Sequence, residues 1–149
     1  MAKHRITKFT KLLLDLMFWC GIAATLALPW IFRWAGQFYA NLANYYWFNV
    51  VLFMLAGLGC VLIIRELRAM FRTVLRDDCF VRANVISLRR MGYLALGIAL
   101  VTASRLILIF TPATLVIVIV FFISALFAFV LAGIFDAAVN YKLENDLMI

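Results

Sequence analysis

Residues 65–92, RELRAMFRTVLRDDCFVRANVISLRRMG, divide the chain into two strongly apolar halves. Arg65, Arg68, Arg72, Arg76, Arg82, Arg89 and Arg90 make up half of the chain's fourteen Lys and Arg. Arg65, Arg68, Arg72 and Arg76 recur at three- and four-residue spacing, so on a helix they form one basic stripe. Leu67, Met70, Phe71, Val74 and Leu75 occupy much of the remaining surface of that helix. Asp77-Asp78 interrupts the pattern, and 81–90 resumes it with Val81, Val85 and Leu88 as the apolar set. The stretch reads as helix, acidic turn, helix.

On either side the composition leaves one solvent. The 149 residues are 68% hydrophobic, with a mean hydropathy of +1.08, whereas a soluble domain is about half apolar. Too few polar residues remain to cover a water-facing surface, so the expected solvent is the lipid bilayer. Apolar runs of membrane-spanning length fall at about 12–32, 47–64, 93–110 and 114–138. The expected fold is an all-α integral membrane protein, one domain over 1–149. Four transmembrane helices form two hairpins, joined by the basic loop 65–92 and followed by the tail 139–149.

The first run follows a basic start, MAKHRITKFTK, but no small-residue cleavage site ends it, so it reads as a retained helix rather than a signal peptide. Pro29 falls near its far end, where a missing backbone hydrogen bond is least costly. Between the first two runs, Trp30, Trp34, Tyr39, Tyr45, Tyr46 and Trp47 crowd a connection whose only charge is Arg33. Such rings favour the headgroup level, which points to an aromatic belt; a ligand-stacking box is the alternative. Neither Asn41 nor Asn44 opens a glycosylation acceptor. In the second run Ala56, Gly57 and Gly59 allow close approach of another helix, and Ala95, Ala99 and Ala103 form a comparable seam in the third. Thr111 and Pro112 suit the N-cap and first position of the fourth helix.

Charge placement orients the chain. Lys3, Arg5, Lys8 and Lys11 precede the first run and seven arginines lie in the central loop, against Arg33 alone in the first connection. The positive-inside rule then puts the N-terminus, central loop and C-terminus in the cytoplasm, in a multi-pass membrane protein. The same rule accounts for the formal net charge of +7 without nucleic acid. For base stacking the loop offers only Phe71 and Phe80, so direct nucleic-acid binding is not expected.

Three charges fall within or beside the apolar runs. Asp15 and Asp136 lie near the cytoplasmic ends of the first and fourth helices, within reach of the loop arginines. Structural carboxylate–arginine pairing is one reading. A proton-coupling role for Asp15, as in very small four-helix exporters, is the other. Arg105 lies towards the opposite end of the third helix, where no carboxylate shares its depth. It either snorkels to phosphates or exposed carbonyls, or meets an anionic ligand or the carboxylate of a partner helix.

No chemistry-bearing constellation is legible. His4 is the only histidine, and Cys20, Cys60 and Cys79 are scattered without CxxC spacing, so neither a metal site, a cofactor nor a disulfide framework is expected. With no nucleophile–base pair and no phosphate loop, an enzyme is not expected either.

The run VLRDDCFVRANVISLRRMGYL and the terminal YKLENDLMI resemble a family of small bacterial four-helix membrane proteins of unknown function, family 2975, the YoaS-like proteins. The matching positions are Phe80, Asn84, Leu88, Arg89, Arg90 and Gly92, then Glu144, Asn145, Asp146, Leu147 and Ile149. Asp78-Cys79 replaces a more common Gly/Asn-Pro turn, and Met148 stands where Thr is usual. The resemblance implies a location in the bacterial inner membrane and no enzymatic activity. It implies a membrane sensor or an anchor for a helix-turn-helix regulator, because such a regulator is often encoded beside members of the family.

The expected working surface is therefore the loop and tail, with Arg65, Arg68, Arg72, Phe80, Asn84, Arg89, Arg90, Glu144, Asn145, Asp146 and Leu147 as partner-binding residues. The partners expected are anionic headgroups and a cytoplasmic protein, a larger membrane complex or a second copy of the chain. The acidic tail is expected to dock on Arg89 and Arg90, with Leu147, Met148 and Ile149 covering the loop's apolar face. The alternative function is a small proton-coupled transporter or ligand carrier using Asp15.

Overall fold

A computed structural model describes residues 2–76 and 78–147, without the side chains of residues 2, 3, 41 and 42. Asp77, Met148 and Ile149 lie outside the described residues, as do the side chains of Lys3 and Asn41. The described residues form five helices: α1 (Ala2–Gly36), the short α2 (Ala40–Asn44), α3 (Tyr46–Leu75), α4 (Arg82–Leu108) and α5 (Pro112–Leu147). All but α2 are long and apolar enough to cross a membrane.

Each long helix outruns its apolar middle. α3 has 30 residues and α5 has 36, or roughly 45 and 54 Å at 1.5 Å per residue, against a hydrocarbon core of about 30 Å. Residues 65–75 of the connecting stretch continue α3 as a helix, in line with the basic stripe, because Arg, Glu, Leu, Ala and Met are all good helix formers and no Gly or Pro intervenes. α3 stops where the Arg76 N–H turns back to the Thr73 carbonyl at 3.2 Å and the Asp78 N–H joins it at 3.1 Å. Extended backbone at Val81 then launches α4.

The tail also departs from expectation. Residues 139–147 continue α5 rather than folding back, since nothing between Asn140 and Leu147 breaks a helix. Leu143 and Leu147 are consequently exposed, and the described part of the tail forms no hydrogen bond or ion pair with Arg89 or Arg90, its one ion pair to the α3–α4 connection being Lys142–Asp78.

At the far end the chain turns more tightly. α1 runs through Pro29, whose carbonyl accepts a 3.0 Å hydrogen bond from the Tyr46 hydroxyl. Thr111 stands just ahead of Pro112, and the Leu115 N–H reaches its carbonyl at 3.2 Å, so α5 starts within three residues of the end of α4.

α1 packs on α3, α3 on α4 and α4 on α5, while α1 and α5 do not touch among the described residues. The long helices thus stand in a row, and a glycine marks each seam. A methyl on Gly57 would come within 2.7 Å of Thr25 Oγ1 on α1, one on Gly59 within 2.8 Å of Ile98 Cγ1 on α4, and one on Gly92 within 2.8 Å of Phe129 Cε1 on α5. With lipid as solvent, helices associate chiefly by close packing, and glycine permits the closest approach. Ala95 and Ala99 of the expected α4 seam are buried, as are Ala125, Ala128 and Ala132 of α5.

Candidate functional site

The start of α1, the end of α3, the start of α4 and the end of α5 meet at one end of the row, where polar contacts join each neighbouring pair. Arg68 Nε on α3 donates to Asp15 Oδ1 on α1 at 2.7 Å, with its guanidinium carbon 4.5 Å from the centroid of the Phe18 ring. Glu66 on α3 lies 3.6 Å from Arg90 on α4. Arg82 on α4 pairs with Asp136 on α5 and donates a second bond, 2.9 Å, to Asn140 Oδ1. Lys142 on α5 donates to Asp78 in the α3–α4 connection at 2.6 Å.

All of these pairs are open to solvent or headgroups on at least one side. Exposed pairs contribute up to about 1 kcal/mol each, so they set the register between helices more than they hold the row together. Their stoichiometry matters more. They engage Asp15, Glu66, Asp78 and Asp136, leaving Arg65, Arg72, Arg76 and Arg89 exposed with no carboxylate partner among the described residues. Glu144 and Asp146 stand apart on the last turns of α5, beside Asn145 and Leu147.

The connection between α3 and α4 is ordered from within. The Asn84 amide donates to Thr73 Oγ1 at 2.7 Å and to the Cys79 carbonyl at 2.6 Å. Asn84 is 2% exposed, so it clasps the turn and cannot belong to a docking surface as expected. Phe80 leans on Phe135 of α5, ring centroids 5.3 Å apart, and keeps an exposed edge. Arg68 is likewise engaged inside the row by Asp15 rather than free for a partner.

Arg105 sits at the other end and neither snorkels nor waits for a carboxylate. Its Nε donates to Asn49 Oδ1 on α3 at 2.9 Å, and its Nη1 donates to Thr111 Oγ1 at 2.8 Å and to Thr114 Oγ1. The Phe53 ring lies 5.4 Å from the guanidinium carbon. Neutral oxygens from α3, from the α4–α5 connection and from α5 therefore replace the ion pair that the sequence lacks at this depth. Asn49 is not among the residues expected from the sequence, although an Asn inside the apolar run YYWFNVVLF is a usable signal. The two threonines were legible only as helix-starting residues.

Asp15 lines a small pocket of about 190 Å³ with Lys11, Arg68 and Arg72. A separate apolar groove of about 370 Å³ opens between α1 and α5 over α3, bordered by Gly21, Thr25, Gly57 and Phe121. Asp15 does not border it.

Among protein families, the model described as a protein of unknown function (DUF2975) matches residues 30–149. That span takes in the end of α1 and all of α2 to α5. The comparisons with curated proteins and with solved structures return no match.

Proposed function

The chain belongs to the DUF2975 family, whose description assigns no activity, and we propose from its geometry that it is a non-enzymatic, multi-pass protein of the bacterial inner membrane. In this reading the basic end faces the cytoplasm, N-in and C-in, and docks a protein partner with an acidic face. The orientation is supported by charge: Arg5, Lys8 and Lys11 of α1 join the arginines of α3 and α4 at the basic end, whereas Arg33 and the inward-turned Arg105 lie at the other.

One observation carries the proposal. Arg65, Arg72, Arg76 and Arg89 stand exposed and unpaired among the described residues, on helices that extend past the apolar core. The planar guanidinium fork meets carboxylates bidentately and loses less freedom per hydrogen bond than a lysine would, which favours an acidic protein surface over a diffuse ion atmosphere. Phe80 and Leu147 add exposed apolar edges at the same end, the composition usual where a partner docks. A cytoplasmic regulator or a subunit of a larger membrane complex fits this chemistry, and a second copy of the chain fits it less well because the basic end is strongly one-signed.

Cross-linking in native membranes followed by affinity purification tests the proposal. A partner should be recovered with the wild-type chain and lost with R76E/R89E at equal membrane abundance. Unchanged recovery with that variant would sink it. A proton-coupled carrier working through Asp15 has less support, because Asp15 is held by Arg68 and does not border the apolar groove between α1 and α5.

A further inference from the structure

On the other face of the α3–α4 hairpin, two cavities join into one groove. The first, of about 610 Å³, is apolar and runs between Leu55, Leu58 and Leu62 of α3 and Leu94, Gly97 and Val101 of α4. The second, of about 450 Å³, is polar and is lined by Arg65, Arg72, Ser87 and Arg90. Glu66 and Arg90 border both, so the cavities are continuous. The α3 positions 55, 58, 62, 66, 69 and 72 recur at three- and four-residue spacing, which keeps the groove on a single helix face.

We propose that this groove binds an anionic glycerophospholipid, with its phosphate among Arg65, Arg72 and Arg90 and an acyl chain along the apolar section. The polar section carries Arg65, Arg72 and Arg90 against Glu66 alone, a net positive site open beside the bilayer. Glu66 is 3.6 Å from Arg90, and Arg90 is largely exposed, so its guanidinium keeps donors for a phosphate. Ser87 adds a hydroxyl at the floor.

Dimensions identify a lipid rather than a free phosphate. From Arg90 to Val101 the helix rises roughly 16 Å, close to half of the ~30 Å hydrocarbon core. One leaflet's acyl chain therefore matches the apolar section when the headgroup lies at the arginines. Gly97 is the position where the groove stays open: a methyl added there meets nothing within 4 Å. Tyr93, exposed one turn from Arg90, puts a ring at the junction of head and chain, where amphipathic aromatics settle.

Native mass spectrometry of the full chain in mild detergent tests the site, titrated with phosphatidylglycerol and with phosphatidylcholine of the same acyl chains. Phosphatidylglycerol should be retained roughly tenfold better, since each basic group near an anionic headgroup strengthens binding. R65Q/R72Q should bring its retention down to that of phosphatidylcholine, and G97W should lower retention of both. Glycerol phosphate should not displace the lipid. Equal retention of the two lipids would show bulk lipid only and overturn the proposal. So would a G97W chain that holds phosphatidylglycerol unchanged, or displacement by glycerol phosphate, which would report an anion site without a groove. If G97W does not fold, a phosphatidylglycerol carrying a mid-chain diazirine must label segments 55–62 or 94–101 of the wild-type chain; label confined to α1 or α5 would refute the assignment. Arg65 and Arg72 border both surfaces, but no protein partner is present in these measurements and R76E/R89E should leave lipid retention unchanged while abolishing partner recovery, so failure of this inference and failure of the docking function are distinguishable.

Discussion

Arg105 on α4 and Asn49 on α3 share a 2.9 Å hydrogen bond from Nε to Oδ1, with 5% and 0% of their surfaces exposed. Together with Thr111 and Thr114, this one guanidinium joins three helices at the end of the row remote from the ion pairs. The Asn49 Nδ2 is buried without a partner among the described residues, in keeping with an amide whose orientation Arg105 dictates: turning the amide over would aim a donor at a donor.

Asn49→Leu should therefore destabilise the row by about 3 kcal/mol, the usual penalty for leaving a buried charge short of its partner. Arg105→Leu in the same chain should recover part of the loss, because removing both partners leaves less unsatisfied than removing one. Reversible unfolding in bicelles measures both, and additive losses would contradict the coupling.

Two glycines on facing helices should respond in opposite ways to alanine. Gly59→Ala pushes a methyl to 2.8 Å from Cγ1 of the buried Ile98 and should cost about 1–3 kcal/mol through overpacking. Gly97→Ala meets nothing within 4 Å and should be neutral or stabilise by up to about 1 kcal/mol through helix propensity. The same unfolding measurement reads both variants.

Asn84→Ala deletes two hydrogen bonds that hold the α3–α4 connection. Thr73 Oγ1 and the Cys79 carbonyl each lose a donor, so the turn should open locally at a cost of about 1–3 kcal/mol. Limited proteolysis should then cut between residues 76 and 81 several times faster than in the wild-type chain, with α4 and α5 still protected.

Asp15→Asn keeps the shape of the α1–α3 contact and removes its charge. Because both partners of the Asp15–Arg68 pair are about one-third exposed or less but lie at the polar end, the loss should stay within about 1 kcal/mol. Partner recovery should not change, and liposome assays should show no proton-coupled flux for either form; flux that Asp15→Asn abolishes would restore the carrier reading.

Cys79 lies in the connection at the basic end and is partly exposed. In intact cells an impermeant maleimide should miss it until the membrane is permeabilised. Gln37→Cys, in the connection after α1 at the opposite end, should react without permeabilisation. Reversed labelling would invert the proposed orientation.

Much of this architecture was legible because the relevant signals are local. Apolar runs announced the four long helices, Thr111-Pro112 announced the start of α5, and the arginine spacing announced helix through residue 75. The end of α5 was less legible, since Tyr-Lys-Leu-Glu continues a helix as readily in water as an apolar run does in lipid. The order of the row was not legible. α5 is apolar on nearly every side, so periodicity does not say which face meets a neighbour. The surroundings of Arg105 were not legible for a related reason: no local pattern points to a neutral Asn 56 residues earlier as its acceptor, rather than to phosphates, exposed carbonyls or a partner's carboxylate.

The linear order of the helices bears on how the protein is made. Each long helix touches only the long helix immediately before or after it in the chain among the described residues, so every interface joins segments that leave the ribosome in succession. No element has to be held open for a distant one, since α1 and α5 share no seam among the described residues of the kind a ring would require. Biogenesis can proceed from the N-terminus as a series of pairwise dockings, each completed before the next span is inserted. A chain halted after α4 would already contain two of the three seams, and the exposed flank left for α5 would be the surface that membrane quality control has to recognise.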